Sequence, residues 1–240
     1  MAERKPTPSD GTWPTPELSA EELARKAEFF AQRVRAPVPS QTRSVADMVR
    51  AFSGMSIQAR NLGSCYEVLE GMLRDPDRPT ILLGVAGPLI AGGLRQVIRE
   101  LVEFNLVDVV VSTGAILYQD LYQARGYAHY RGSTQVDDAE LRELYVDRIY
   151  DTYVDEIGFA KTDTWIGHVA DTLAPGAYSS RQFMDVLADR VDDPLSIVAT
   201  CRRFGVPMFV PALNDSSIGI GLTEHHHRCV TGAKPGVVIS

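Results

Sequence analysis

Short apolar runs alternate with longer amphipathic segments through the last two thirds of the chain. The runs at residues 80–84, 107–112 and 205–211 are almost wholly apolar and end in small or polar residues, as is typical of strands buried on both faces. Predicted helices lie at residues 89–104, 113–123, 138–147, 163–173, 180–188 and 194–204. Strands that alternate with helices of this length form parallel sheets. The pattern therefore predicts an α/β fold, with a Rossmann-like parallel sheet flanked by helices.

The first third of the chain has a different pattern and predicts a helical N-terminal extension. Residues 1–18 are rich in proline and poor in apolar side chains, which is typical of a mobile arm. Ser19 and Glu22 have the spacing of a capping box at the start of a helix. The helices predicted here cover residues 19–34, 44–52 and 64–73. The predicted regions are a flexible arm (1–18), a helical N-terminal region (19–78) and an incomplete Rossmann-like domain (79–240).

The composition of the chain excludes several classes of protein and disfavours some kinds of partner. The 240 residues are 45% hydrophobic and 23% charged, which excludes collagen, coiled coil and wholesale disorder. The formal net charge of −7 disfavours a nucleic-acid partner, since that affinity depends on clustered Lys and Arg. Three scattered cysteines form neither a disulfide framework nor a zinc motif. With no apolar run of membrane-spanning length and no signal region, we expect a soluble, cytoplasmic protein without a membrane partner.

Three turns rich in small residues follow the predicted strands, at residues 84–93, 112–120 and 211–221. The carboxyl ends of parallel strands share one edge, and ligands of open α/β sheets bind there. Small residues let backbone N–H groups approach a ligand, and a helix N-terminus favours anionic groups. None of the turns contains G-x-G-x-x-G, so the ordinary dinucleotide motif is absent. For any single turn, the alternative is that small residues merely permit a tight connection.

Polar residues near the last turn allow more than one interpretation. Asp215 could accept hydrogen bonds from a ribose hydroxyl or pair with an amine, but an Asx-turn or a helix cap is equally compatible with its position. The adjacent His225, His226 and His227 are poorly spaced for chelation, because neighbouring side chains point in different directions. We therefore predict an exposed polar loop at these histidines and no metal site.

At these turns the sequence resembles deoxyhypusine synthase and its bacterial homologues. The matching segments are residues 52–63, 81–121, 146–154, 192–222 and 234–240, including V-D-V-V-V-S-T-G and P-A-L-x-D-x-S-x-G. The resemblance implies a Rossmann-type domain that assembles into tetramers with active sites at subunit interfaces. It also implies NAD-dependent chemistry, in which the aminobutyl group of spermidine is carried on an enzyme lysine to a lysine of a translation factor. Bacterial homologues with this Ser-Thr-Gly-Ala turn are expected to act on small amines, for instance in making homospermidine.

The resemblance also assigns roles to individual residues. The implied cofactor-binding residues are Gly87, Thr113, Gly114, Ala115 and Asp215, and the implied substrate-binding residues are Gln119 and Asp120. The implied cofactor is NAD, and the implied substrate is a polyamine or a related small amine.

Several positions depart from the family pattern. Ala86, Gly87 and Pro88 occupy the family's Thr-Ser-Asn, so two side-chain contacts to the cofactor are missing. Tyr118 and Gln119 replace a pair of glutamates, and Ile220 replaces an aspartate that holds a substrate ammonium. An isoleucine cannot pair with a cation, so these departures argue against spermidine binding in the family manner.

None of the chain's lysines, Lys5, Lys26, Lys161 and Lys234, stands in the sequence context of the family's imine-forming lysine. The catalytic residue of this chain is therefore unknown. We expect a subunit of a split NAD-dependent aminobutyl transferase, with a second chain that carries the C-terminal third and its lysine in a hetero-tetramer or homo-oligomer. The alternatives are a catalytically dead regulatory or scaffold subunit of a full-length paralogue, and a fragment of a longer enzyme.

Overall fold

The structure, a computed structural model, describes residues 18–239. The chain divides into two compact units, the first ending at Pro76 and the second beginning at Asp77. The predicted mobile arm lies outside the described residues except for its last position.

The first unit is helical, as predicted. Its helices are α1 (Ala20–Phe29), α2 (Val45–Phe52) and α3 (Ile57–Arg74), with a short 3₁₀ turn at Pro39–Gln41. The capping box before α1 is confirmed, because the Ser19 hydroxyl accepts the Glu22 amide and the Glu22 carboxylate accepts the Ser19 amide. Helix α1 ends at Phe29, earlier than the predicted Val34, and the adjacent helices α2 and α3 pack together.

The second unit contains the strands and the remaining helices. Its strands are β1 (Leu82–Val85), β2 (Val109–Ser112), β3 (Tyr130–Arg131), β4 (Val146–Ile149), β5 (Thr152–Asp155), β6 (Gly176–Tyr178), β7 (Met208–Phe209) and β8 (Val237–Ile239). Its helices are α4 (Arg95–Glu103), α5 (Gly114–Ala124), α6 (Asp138–Glu143), α7 (Glu156–Asp171), α8 (Ser180–Ala188), α9 (Ile197–Phe204) and α10 (Ser217–Thr231).

The predicted parallel sheet is confirmed and has the strand order β1–β2–β7. Its central strand β2 pairs with both neighbours in parallel, with Val110 opposite Leu83 and Met208. Val110 is fully buried because a central strand of a parallel sheet is covered on both faces. The fold is therefore mixed α/β, with the sheet flanked by helices, as the apolar runs predict.

Two further sheets were not predicted. Strands β4 and β5 form an antiparallel hairpin, with β3 on the outer side of β5, and β6 pairs with β8 in parallel. The hairpin turns at Tyr150 and Asp151, and Tyr150 has a positive φ of 57°. Glycine or asparagine is the usual signal for such a turn, and neither is present here.

Several predicted boundaries besides the end of α1 are wrong. Helix α3 begins at Ile57 and not at residue 64, and helix α7 begins at Glu156 and not at residue 163. Helix α4 begins at Arg95 and not at Leu89, because a turn containing Gly87 and Gly93, both with positive φ, precedes it. The predicted loop at residues 225–227 is part of helix α10. Among residues 18–239, no helix is both long and apolar enough to cross a membrane.

Candidate functional site at the sheet edge

The turns that follow β1, β2 and β7 lie at the same edge of the sheet, because these three strands are parallel neighbours. The turns after β2 and β7 approach each other most closely. A Cβ built on Gly114 would overlap the Ser216 side chain and lie 3.1 Å from the Leu213 carbonyl oxygen. Ser216 in turn donates a hydrogen bond of 2.6 Å to that carbonyl. Glycine at position 114 is therefore required for the two turns to meet.

Small and polar groups are exposed where the turns meet. Thr113, Ala115 and Asp215 are exposed, whereas Gly114 is buried between them. Thr113 is the N-cap residue of α5, and its side chain makes no capping hydrogen bond. The structure therefore brings the turn that carries Asp215 against the turn that carries Thr113, Gly114 and Ala115, through the approach of Leu213 and Ser216 to Gly114.

The fifth predicted residue, Gly87, lies in the turn after β1, at the far side of the edge. It is exposed and has a φ of +84°, and nothing lies within 4 Å of a Cβ built on it. The flanking Ala86 and Pro88 are exposed and offer no polar side chain, and proline also lacks an N–H group. This turn can contribute backbone groups and space to a ligand, but no side-chain hydrogen bonds at these three positions.

Gln119, which the resemblance places on substrate, is buried and accepts a hydrogen bond from the Ala91 amide at 3.1 Å. Ala91 belongs to the turn after β1. The side chain of Gln119 therefore contacts the site's own backbone.

Asp120, the other residue placed on substrate, is fully buried in an ion-pair network. One carboxylate oxygen accepts Arg95 Nε at 2.6 Å, and the other accepts the Ser196 hydroxyl at 2.7 Å and the Val198 amide at 3.0 Å. Arg95 also donates to Asp193 at 2.8 Å. Burial alone would lower the pKa of Arg95, but the two carboxylates raise it, so its charge is retained. Neither oxygen of Asp120 is free for a substrate ammonium.

A buried carboxyl group that the sequence reasoning did not single out lies next to α5. Asp163 on α7 is 8% exposed, and its Oδ1 is buried without a hydrogen-bond partner. Burial raises its pKa to about 6, the neighbouring Tyr118 hydroxyl opposes this rise, and the charge of Glu224 adds to it. Burial raises the pKa of the Tyr118 hydroxyl, and the neighbouring Asp163 raises it further. Ser217 opposes this rise. The Tyr118 hydroxyl donates its single proton to the Phe159 carbonyl at 2.9 Å.

The predicted exposed histidine loop is wrong for His225, which is buried on helix α10. Its Nδ1 lies 2.6 Å from an Asp171 oxygen, and its Nε2 accepts the Val237 amide at 2.9 Å. Arg228 also binds Asp171, and the Cys229 sulfur lies 3.6 Å from Nε2. Because Nε2 is already an acceptor for the backbone, the imidazole cannot act as a base toward the thiol. The hydrogen bond from Val237 to His225 connects β8 to α10.

The structure places the remaining candidates as follows. Ile220 is 53% exposed on α10, and Lys26, Lys161 and Lys234 are exposed. Lys5 lies outside the described residues. Within residues 18–239, no cluster of three or more His, Cys, Asp or Glu side chains could hold a metal ion. Asp163 could have been found only from tertiary structure, because nothing in the sequence distinguishes it from other helical aspartates.

Comparison with known proteins shows which family the chain belongs to. The family model for deoxyhypusine synthase matches residues 47–237. The chain belongs to the deoxyhypusine synthase family. Deoxyhypusine synthases are NAD-dependent, and the expectation of NAD as the family's cofactor stands.

Individual relatives agree with this assignment. The chain is 41% identical over 210 residues to a deoxyhypusine synthase-like protein from Chlorobaculum tepidum, covering 85% of this chain and 59% of that protein. It is 39% identical over 184 residues to a deoxyhypusine synthase-like protein from Coxiella burnetii, covering 74% and 52% respectively. The chain therefore spans between half and three fifths of the length of these relatives.

A solved structure has the same fold. The crystal structure of a provisionally assigned deoxyhypusine synthase from Entamoeba histolytica superposes with a TM-score of 0.60, covering 86% of this chain and 70% of that one. The sequences are 19% identical, so this similarity concerns the fold alone.

Proposed function

We propose that this chain provides the nicotinamide-binding edge of an NAD-dependent aminobutyl transferase that acts on a small amine. The observation that carries the proposal is the close approach of the turns after β2 and β7, in which exposed Asp215 lies in sequence between Leu213 and Ser216, the two residues that approach Gly114. The family's dependence on NAD supports the choice of cofactor.

The residues present fit part of a dinucleotide. Asp215 can accept hydrogen bonds from ribose hydroxyls, and the free N-terminus of α5 after Thr113 can donate to polar groups. Gly87 leaves room for close backbone approach. When bound, NAD would accept a hydride from the amine-bearing carbon and return it later. In this chain, Asp215 would orient the ribose, and the small residues would admit the ring.

We propose that the amine-carrying lysine comes from polypeptide outside residues 1–240. Imine chemistry requires a lysine held in a desolvated site, where its pKa falls. Lys26, Lys161 and Lys234 are all exposed and lie outside the three turns, and Lys5 lies in the proline-rich N-terminal segment. The lysine would be supplied by a second chain in a split hetero-oligomeric enzyme, or by a continuation of the same polypeptide.

A regulatory or scaffold role is the second candidate, and one set of observations favours it. The carboxylates expected to meet a substrate ammonium are not available. The Asp120 carboxylate is paired with Arg95, and Ile220 occupies the position of the family's aspartate. A subunit that holds cofactor weakly, or not at all, and stabilises an active paralogue would tolerate these changes.

The first experiment is isothermal titration of NAD into the full chain, wild type and Asp215→Ala. Losing a charge-assisted hydrogen bond costs about 1.5–3 kcal/mol, so we expect the Kd for NAD to rise about ten- to a hundredfold. Asp192→Ala, which removes an exposed carboxylate outside the three turns, should leave the Kd unchanged.

Adding a polypeptide that corresponds to the unmatched part of the Chlorobaculum tepidum relative should tighten NAD binding at least about tenfold, because a second half lowers the ordering cost. It should also restore transferase activity that depends on Asp215. Equal NAD affinity of Asp215→Ala and wild type would refute the cofactor assignment. Assembly without Asp215-dependent turnover would favour the regulatory role.

A further inference from the structure

The turn after β1, residues 86–94, is only partly held by its own backbone. The amides of Leu89, Gly92 and Gly93 donate to carbonyl oxygens within the turn, at 2.9–3.0 Å. The Ala91 amide instead donates to Gln119 Oε1 at 3.1 Å, on the neighbouring helix α5. A side chain of α5 therefore completes the hydrogen bonding in the middle of this turn.

Asp120, the residue after Gln119 on α5, holds the end of the same turn by binding Arg95. Arg95, the first residue of α4, donates from Nε to Asp120 Oδ1 at 2.6 Å and from Nη2 to the Asp120 carbonyl at 3.3 Å. The Arg95 side chain is 13% exposed and that of Asp120 is fully buried, so water does not compete for the pair. Adjacent residues of one helix thus hold the middle and the end of the turn.

This support matters because the exposed part of the turn has no polar side chain of its own. Ala86, Gly87 and Pro88 can offer a ligand only shape and backbone groups, so their contribution depends on where the turn is held. We propose that Gln119 and the Arg95–Asp120 pair are positioning groups for the cofactor. They fix the turn in the conformation that admits NAD, and Gln119 acts on the cofactor through the Ala91 backbone and not by direct contact.

The inference rests on the proposed function, and helix α5 provides a matched control for it. Gln123 lies one helical turn after Gln119, and its amide nitrogen is 2.7 Å from His129 Nδ1, whereas Gln119 contacts the Ala91 amide. Gln119→Leu removes the acceptor and Gln119→Glu keeps one, whereas Gln123→Leu removes a comparable amide without touching Ala91. Each full-length variant is measured for NAD affinity by calorimetry, for amide hydrogen exchange of residues 86–94 and for thermal unfolding.

We expect Gln119→Leu to weaken NAD binding about tenfold, since a half-buried N–H without an acceptor is costly, and to speed exchange at Ala91. Gln119→Glu should recover most of the affinity, and Gln123→Leu should bind NAD like wild type. Faster exchange with unchanged NAD affinity would overturn the positioning role while leaving the proposed function intact. So would equal losses of affinity in Gln119→Leu and Gln123→Leu. Absence of NAD binding by the wild type would reject the proposed function itself, and this inference with it.

Discussion

The buried carboxyl group of Asp163 gives a prediction for stability: removing its charge should stabilise the folded protein and not destabilise it. Oδ1 has no hydrogen-bond partner among the described residues, and burial raises the pKa of the group from 3.8 to about 6. A raised carboxyl pKa means that the folded protein holds this proton more tightly than the unfolded chain does. Between pH 3.8 and 6 the unfolded state binds fewer protons, so stability falls as the pH rises.

The pKa difference sets the magnitude. A shift of about two pKa units corresponds to about 3 kcal/mol that the ionised group costs at neutral pH, at about 1.4 kcal/mol per unit. Asp163→Asn keeps the shape and removes the charge. We therefore expect it to raise the free energy of unfolding by about 1–3 kcal/mol at pH 7.5, and to change it little near pH 4, where the carboxyl is protonated in the folded protein.

Urea unfolding followed by tryptophan fluorescence is the assay. Trp165 lies on the same helix as Asp163, and a Trp13→Phe background leaves it as the only reporter, because the chain has two tryptophans. Asp192→Asn, at an exposed carboxylate, is the control and should change stability equally little at both pH values. Destabilisation by Asp163→Asn at pH 7.5, or a gain of the same size at both pH values, would refute the reasoning.

Two further predictions concern the other buried polar clusters. Arg95→Met should lower the free energy of unfolding by about 3–5 kcal/mol, because it leaves Asp120 charged and unpaired in the interior. Adding Asp120→Asn should restore part of this loss in urea unfolding, and a single-variant loss below about 1 kcal/mol would contradict the buried pair. His225→Phe should lower the thermal midpoint by several degrees, since the Val237 amide loses its acceptor. His226→Phe, at the exposed neighbour, should not lower it, and equal effects would argue against the buried cluster.

The central sheet was predictable because its signal is local. The apolar runs that end near Gly84 and Ser112 predict strands, and each is followed by a helical period. The predicted burial on both faces is wrong for β1, an edge strand in which Leu82 is 61% exposed. The capping box at Ser19 is equally local, because both of its hydrogen bonds join residues close in sequence. Such features depend on chain chemistry and do not require a partner distant in sequence.

Helix α10 was missed because its sequence disfavours a helix when considered alone. Gly219 and Gly221 are poor helix formers, yet each lies where a larger residue could not fit. A Cβ on Gly219 would overlap the Asn214 carbonyl, and one on Gly221 would lie 2.5 Å from the Asp163 carbonyl oxygen. Tertiary packing therefore overrides propensity here, and a sequence considered without its fold shows only the propensity.

The contacts of Gln119 and Asp120 on α5 could not be predicted from the sequence for a related reason. The sequence shows that Gln119 and Asp120 occupy positions where the family has polar residues, but not which groups face them. Arg95 and Ala91, their actual partners, are more than twenty residues away along the chain. Whether a carboxylate is free for a ligand is a property of its three-dimensional neighbours.

Helix α10 also connects the candidate site to the rest of the unit. Its first turn follows Asp215, its middle packs on α7 at the Gly221 contact with Asp163, and His225 fastens it to Asp171 and Val237. These contacts lie at different positions along the helix, so together they restrict the movement of the turn that carries Asp215. Asp163, whose backbone carbonyl makes the Gly221 contact, also carries the buried carboxylate oxygen without a partner. If Asp163→Asn stabilises the fold as expected, the wild-type carboxyl lowers stability at the contact that supports the candidate cofactor edge, which is where proteins commonly retain such a cost for function.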